Sequence, residues 1–223
     1  MADPPQAFRL VLSALSVAAL GTTVMGGSVG AQPAAGPRLV QPGAPGEPTR
    51  PITAAEAADT SGVTHTAADV AFMRDMIAHH AQALEMTAAA RERASSDDLR
   101  TLALRIEVSQ ADEMAMMRAW LTQRGETLPD SHAHHGHDAP LMPGMLTPEE
   151  MAALLASRGP LFDRLFLTGM IKHHEGALAM VRTLFATPGA GQEPALFAFA
   201  SDVEADQSME IRRMRALLKE IAE

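Results

Sequence analysis

The chain contains no cysteine and no tyrosine, and only one of its 223 residues is tryptophan. The absence of cysteine excludes disulfides, thiolate zinc sites and a cysteine nucleophile, and the absence of tyrosine excludes a tyrosyl-radical enzyme. Positively charged side chains are also scarce. The chain has 18 Lys and Arg against 27 Asp and Glu, which gives a formal net charge of −9. Nucleic-acid binding needs a basic surface that displaces counterions, so we expect no nucleic-acid partner.

The residues that are plentiful include potential metal donors. The chain has 15 methionines and 9 histidines, and apolar residues make up 47% of it. That apolar content is enough to bury a core. We therefore expect a folded domain that is rich in thioether and imidazole groups.

The first 65 residues have features of export. An apolar run extends from Leu10 to Leu20 after Arg9, and Val29-Gly30-Ala31 resembles a cleavage point, so residues 1–31 are predicted to be a signal peptide. The alternative is an uncleaved N-terminal anchor, which is the only membrane contact that we expect. Repeated Pro and Gly make residues 32–65 a predicted flexible, disordered linker. These features predict an extracytoplasmic protein that is secreted, periplasmic or membrane-tethered.

Residues 66–222 have the pattern of one helical domain, and no stretch predicts a strand. Thr66 with Asp69, and Thr147 with Glu150, resemble capping boxes that open helices. The connection at 125–159 is long and carries the second of these boxes. Apolar periodicity and terminal residues predict four long helices and one short helix, which run from about Ala67 to Arg93, Ser96 to Arg124, Pro160 to position 187, Glu193 to Ala222, and Pro148 to Ser157.

The helical domain repeats itself. The segment from Phe72 to Met86 matches the segment from Phe166 to Met180 at an offset of 94 residues. A second match, at an offset of 97, relates Ile106–Leu121 to Val203–Leu218. Two copies of a helical hairpin that pack together make a four-helix bundle. The predicted fold class is therefore all-α, a four-helix bundle from two duplicated hairpins.

Both copies carry the motif Met-Ile-x-His-His on the first helix of the hairpin. Side chains three and four residues apart converge on a helix surface, and a further methionine follows along each stripe. Inward imidazoles cost stability unless each finds a partner, so we interpret the doubled motif as a metal site. The competing interpretation is a duplicated structural hairpin whose Met and His side chains only fill the core. The predicted ligands are Met76, His79, His80, Met86, Met170, His173, His174 and Met180.

Polar residues on the partner helices are candidates to support these ligands. Gln110 and Gln207 lie on apolar stripes, and we expect each to bond a histidine N–H and fix its tautomer. Glu107 and Glu204 lie one turn earlier and are interpreted as ligands, orienting groups or solvated side chains. The long connection holds a His-rich tract that is either a further metal site or a solvated loop, and its histidines are His132, His134, His135 and His137.

The donor set favours copper. Thioethers select Cu(I), whereas imidazoles suit Cu(II), zinc and nickel. Carboxylate-bridged iron sites in bundles use Glu-x-x-His, and positions three before the paired histidines hold Met or Ile instead. We therefore expect a copper ion as the bound group and no organic cofactor.

The paired blocks Phe72–Met86 and Phe166–Met180 resemble the "FxxxMIxHHxxAxxM" blocks of the family called domain of unknown function 305. The run from Gln110 to Leu121, the turn Met142-Pro-Gly-Met145 and Phe162-Asp163 resemble it too, so the likeness covers residues 66–222. It implies a ferritin-like bundle, usually exported in bacteria, and some members bind copper in copper resistance. The His-rich tract, and Leu217 where the first copy has Trp120, depart from the family pattern.

The resulting hypothesis is an exported copper-binding protein for buffering or resistance, with no enzymatic activity. We expect its partner to be the metal ion, and a homo-oligomer is compatible with the sequence. One alternative is a structural or partner-binding bundle without metal. The other is a ferritin-like metal-dependent oxidase, against which the missing Glu-x-x-His counts.

Overall fold

The computed structural model describes residues 39–41, 48–129 and 141–221. The predicted signal peptide or anchor at 1–31 and the four histidines of the His-rich tract lie outside these residues. The described part of the chain divides into two units, one up to Ala57 and one from Ala58 onward. Each unit is described by itself below.

The first unit holds a short strand pair within the predicted linker. Strand β1 (Leu39–Gln41) pairs antiparallel with β2 (Arg50–Ile52), and helix α1 (Ala54–Ala58) follows. Glu56 accepts a hydrogen bond from the backbone N–H of Thr53 and lies 3.6 Å from Arg50. The sequence predicted no strand here, because three residues are too few to show the alternation that marks one.

The second unit is the helical bundle, and the all-α fold class is confirmed. Its helix bounds agree with the sequence prediction to within two residues, because the predicted capping boxes at Thr66 and Thr147 both form. The structure adds a cap at Ser96, whose side chain accepts from the N–H of Leu99. Within the described ranges, every helix falls short of the combined length and hydrophobicity that a membrane span requires. The five helices of this unit are α2 (Ala67–Arg93), α3 (Asp97–Gln123), α4 (Pro148–Ala156), α5 (Gly159–Ala186) and α6 (Pro194–Glu220).

Two buried aspartates tie the hairpins α2–α3 and α5–α6 to each other. Asp69, in the first turn of α2, accepts a hydrogen bond from the N–H of Gly191 at 2.7 Å, in the connection between α5 and α6. Asp163, near the N-terminus of α5, accepts from the N–H groups of Ser95 and Ser96 at 3.0 Å, in the connection between α2 and α3. The two aspartates are 94 residues apart, the offset of the repeat. Each hairpin therefore accepts hydrogen bonds from the interhelical connection of the other, in a pseudo-twofold arrangement.

The apolar core is split into two clusters along the bundle. The Phe166 cluster takes the C-terminal half of α2, the N-terminal halves of α3 and α5, and the end of α6. The Trp120 cluster takes the opposite halves of the same four helices. The paired histidines fall between the two clusters, so a polar layer crosses the middle of the bundle.

A turn at Met142–Met145, called here the 142–145 turn, covers this layer on the side of α2 and α5. Gly144 has a left-handed φ of +76°, and a β-carbon on Gly176 of α5 would lie 1.9 Å from the carbonyl oxygen of Pro143. Backbone thus packs directly on backbone. Gln82 of α2 anchors the next residue, since its amide accepts from the N–H of Leu146 at 2.8 Å and donates to its carbonyl at 3.0 Å.

Candidate metal centre

Four histidines occupy the polar layer, and none has any exposed surface. His79 on α2 and His173 on α5 lie face to face, with ring centroids 3.8 Å apart and planes tilted by 37°. The Nε2 of His79 is 2.9 Å from the carbonyl oxygen of Pro143 in the 142–145 turn. The Nε2 of His173 is 2.9 Å from the backbone carbonyl oxygen of His79. The connection that holds the 142–145 turn occurs once, between the repeats, so the two equivalent rings bond different carbonyls.

The outer histidine of each doublet is held by a carboxylate. The Nε2 of His80 is 2.6 Å from Oε2 of Glu113 on α3, and the Nε2 of His174 is 2.6 Å from Oε2 of Glu210 on α6. Charge-assisted hydrogen bonds of this length are stronger than neutral ones. Each of these rings is therefore fixed within its own hairpin.

One arrangement is common to all four rings. Carbonyl and carboxylate oxygens accept hydrogen bonds, so each Nε2 carries a proton, and a ring in its neutral form then has its free lone pair on Nδ1. All four Nδ1 atoms are buried without a hydrogen-bond partner. Metal-binding histidines show the same division, with one nitrogen on the metal and the other N–H donated to an oxygen.

Burial keeps the inner pair of rings neutral. It lowers the pKa of His79 to about 3, helped by the charge of His80. It lowers the pKa of His173 well below the ordinary value for the same reason, with the neighbouring histidines adding to the effect. Neutral imidazole is the form that binds metals.

These shifts predict how the stability of the metal-free protein depends on pH. In the unfolded chain both rings titrate near 6.5, whereas the pKa of His79 in the folded protein is about 3. Between these values the unfolded state binds more protons, so the free energy of unfolding falls as pH falls, by up to about 1.4 kcal/mol per pH unit for each ring. Urea unfolding at several pH values measures this slope. The double variant His79→Phe/His173→Phe should show a shallower slope, and an equal slope would contradict the assignment.

The predicted methionine ligands are divided between the two apolar clusters. Met86 and Met170 are buried in the Phe166 cluster, while Met76 is buried in the Trp120 cluster and Met180 packs against it half-buried. The predicted methionine ligands therefore lie on both sides of the histidine layer. In the described ranges no three His, Asp or Glu side chains are placed to hold a metal ion together. An ion bound here with few nitrogen donors would draw on thioether sulfur as well.

The structure assigns the support of the histidines to residues other than those expected. Gln110 and Gln207 are inward and only 1% exposed, but none of their amide atoms has a hydrogen-bond partner. The N–H groups of the outer histidines go instead to Glu113 and Glu210, one turn further along. A carboxylate is the stronger acceptor. The signal was present in the sequence, because Gln-x-x-Glu occurs in both copies at the repeat offset.

The other predicted supporting residues lie away from the layer. Glu107 pairs with Arg91 at the surface, and Glu204 is exposed. Both therefore fit the solvated alternative among those left open by the sequence.

The chain matches the family model of a domain of unknown function (DUF305) over residues 69–218. The chain belongs to the DUF305 family. A DUF305 fragment from Deinococcus radiodurans is 34% identical, with a TM-score of 0.60, over 70% of this chain and 98% of that one. A DUF305 protein from Streptomyces coelicolor, described as a candidate secreted protein, is 32% identical at the same TM-score, over 70% and 94%. The resemblance found in the sequence is thus confirmed.

A metal-bound protein has a similar fold. CopM in its Cu(I)-bound form is 27% identical, with a TM-score of 0.54, over 68% of this chain and 96% of CopM. CopM structures with Cu(II) and with silver match as well. No curated protein matches the chain. CopM, which resembles this chain in fold, is thus solved with copper and with silver.

Proposed function

We propose that this DUF305 protein is exported and binds copper in the polar layer of its bundle, for buffering or resistance. One observation carries the proposal. Eight buried side-chain nitrogen and oxygen atoms in the described residues lack a hydrogen-bond partner, and all eight belong to the four histidines, Gln110 and Gln207. Unsatisfied buried polar groups cost about 1–3 kcal/mol each, so a core kept only for packing would be better filled by aliphatic side chains.

The donor chemistry supports copper over other metals. The Nδ1 lone pairs of the four histidines are the available nitrogen donors. Thioether groups lie in the apolar clusters on either side of the layer, from Met76, Met86, Met170 and Met180. Imidazole with thioether suits copper, and thioether favours the Cu(I) state. CopM, the relative solved with Cu(I), Cu(II) and silver, has the same fold, and it supports a soft ion here. The predicted export is supported by the Streptomyces coelicolor relative.

Titration with Cu(I) in the presence of a competing chromophoric chelator tests this function. The His79→Phe/His173→Phe variant keeps two flat rings in the layer but removes two of the four Nδ1 donors. We expect it to fold and to lose tight copper binding, with an affinity at least about 100-fold lower, because bound Cu(I) would lose its central nitrogen ligands.

Two features of the design keep the result interpretable. The four histidines of the His-rich tract are changed to Asn in every protein, so that the tract cannot bind the metal. His65→Phe is the matched control, since His65 lies against Trp120 with a ring distance of 5.4 Å and outside the layer. Unchanged copper stoichiometry and affinity in the double variant would overturn the proposal.

A further inference from the structure

The buried donors need a route by which a metal ion can reach them. On the side of α2 and α5 the layer is sealed, because the 142–145 turn packs backbone against backbone at Gly176. Close backbone approaches join α2 to α3, α5 to α6 and α2 to α5, whereas α3 and α6 approach each other much less closely. The side of α3 and α6 is therefore the more open side of the layer.

Side chains on this side form a path of decreasing exposure. Asp206 of α6 is exposed, whereas the side chains of Glu210 and Glu113 are 17% and 9% exposed, and His174 and His80 behind them are fully buried. Glu210 and Glu113 contact the Nε2 edge of His174 and His80 at 2.6 Å. Carboxylate oxygens therefore extend from the surface to the edge of the histidine layer.

The path is electrostatically negative at its mouth. Partial burial raises the pKa of Asp206, and so do the negative charges of Glu113, Glu210 and Asp202. The charges that act on Asp206 thus come from carboxylates of both α3 and α6. A mouth lined by one sign of charge raises the local concentration of the opposite ion and its rate of association.

Two amides lie beneath the carboxylates. Gln110 precedes Glu113 by one turn on α3, and Gln207 precedes Glu210 by one turn on α6. Both are 1% exposed, and neither their carbonyl oxygen nor their NH₂ group has a partner. The repeat relates the two residues to each other, and each lies one helical turn from a carboxylate of the path. Amide oxygens can replace water molecules around a cation that is losing its hydration shell. The unpartnered amides of Gln110 and Gln207 are suited to this replacement.

We propose that a hydrated copper ion enters through a port between α3 and α6, attracted by Asp206 with Glu113 and Glu210 and stripped of water by Gln110 and Gln207. The port rests on the proposed copper site, but it concerns the rate of capture. Asp206 and the two glutamines should therefore control the association rate of the metal. The histidines should control its equilibrium affinity.

Stopped-flow mixing with aqueous Cu(II) tests the port, with quenching of Trp120, the single tryptophan, as the signal and the His-rich tract changed to Asn. Asp206→Asn should lower the association rate about three- to tenfold at low ionic strength, and the difference should shrink at high ionic strength. Glu204→Gln is the matched control, because it removes the same charge two residues away on the opposite face of α6. Equal slowing in both variants, or slowing in neither, would overturn the port.

The double variant Gln110→Leu/Gln207→Leu provides an independent measurement. It should slow capture while raising the melting temperature of the metal-free protein, since unpartnered buried amides are lost. A higher melting temperature with unchanged capture would show that the amides only fill space, and would overturn their role. Equilibrium stoichiometry is recorded for every protein. Absence of copper binding in the unmodified site would overturn the proposed function itself, whereas normal stoichiometry with unaltered rates would overturn the port alone.

Discussion

Replacing Gly176 by alanine is expected to destabilise the bundle by about 2–3 kcal/mol, the upper part of the range for overpacking. Glycine to alanine inside a helix normally stabilises by about 0.5–1 kcal/mol, so the expected sign is reversed. The reason is that the new β-carbon would lie 1.9 Å from the Pro143 carbonyl oxygen. The obstacle is backbone, so the 142–145 turn must move, and His79 then loses its hydrogen-bond acceptor. Thermal unfolding of the metal-free protein measures the effect.

Gly169→Ala is the matched control on the same helix. Its β-carbon would meet the ends of two flexible side chains, Leu146 at 3.0 Å and Met86 at 3.3 Å. These groups can shift by a few tenths of an ångström, so we expect a change within about 1 kcal/mol. In the native structure the N–H of Leu146 donates a hydrogen bond to the side chain of Gln82. Hydrogen exchange at this N–H should accelerate in Gly176→Ala and not in Gly169→Ala. If Gly176→Ala melted at or above the temperature of the native protein, the close packing of the turn would be disproved.

The helices and the duplication could be predicted from the sequence because their signals are local. Capping residues such as Thr66 and Thr147 act within four residues of chain, and apolar periodicity persists over a whole helix. The inward direction of His79, His80, His173 and His174 follows from the same periodicity, and all four are buried. The three-residue strands β1 and β2 carry too little pattern to be recognised.

The parts of the site that the sequence did not predict depend on contacts between distant segments. The acceptor of His79 is a backbone carbonyl at Pro143, and a backbone atom leaves no trace in side-chain chemistry. The division of the methionines between two clusters follows from the antiparallel crossing of α2 and α5, which sends residues before His79 and residues before His173 in opposite directions. Only Glu113 and Glu210 had a usable signal, their repeated spacing after glutamine.

The energetics of the polar layer distinguish a binding site from an inert scaffold. Four rings and two amides occupy the middle of the bundle at a cost that the surrounding apolar clusters must offset. Each ring has its N–H satisfied, and its other nitrogen lacks a partner for its lone pair. A metal ion can accept that lone pair, whereas an aliphatic packing partner cannot. This consideration favours the copper-binding hypothesis over the structural bundle.

Glu113→Gln and Glu210→Gln are each expected to weaken copper binding by about 10- to 100-fold, the range for residues that orient a metal-bound histidine. Each carboxylate lies 2.6 Å from the Nε2 of its histidine, and its negative charge makes the opposite Nδ1 a better donor. Glutamine can still accept the hydrogen bond, so the ring stays in place while its basicity falls. Competition with a chromophoric Cu(I) chelator measures the affinity.

Glu107→Gln is the control for the charge change on α3, because Glu107 pairs with Arg91 at the surface, and its affinity should equal that of the native protein. The two site variants should behave alike, since the repeat makes their histidines equivalent. If Glu113 and Glu210 only help the outer rings to pack, their glutamine variants will lower the melting temperature of the metal-free protein and leave the copper affinity unchanged. That outcome would remove the outer histidines from the proposed ligand set and leave His79 and His173 as its only nitrogen donors.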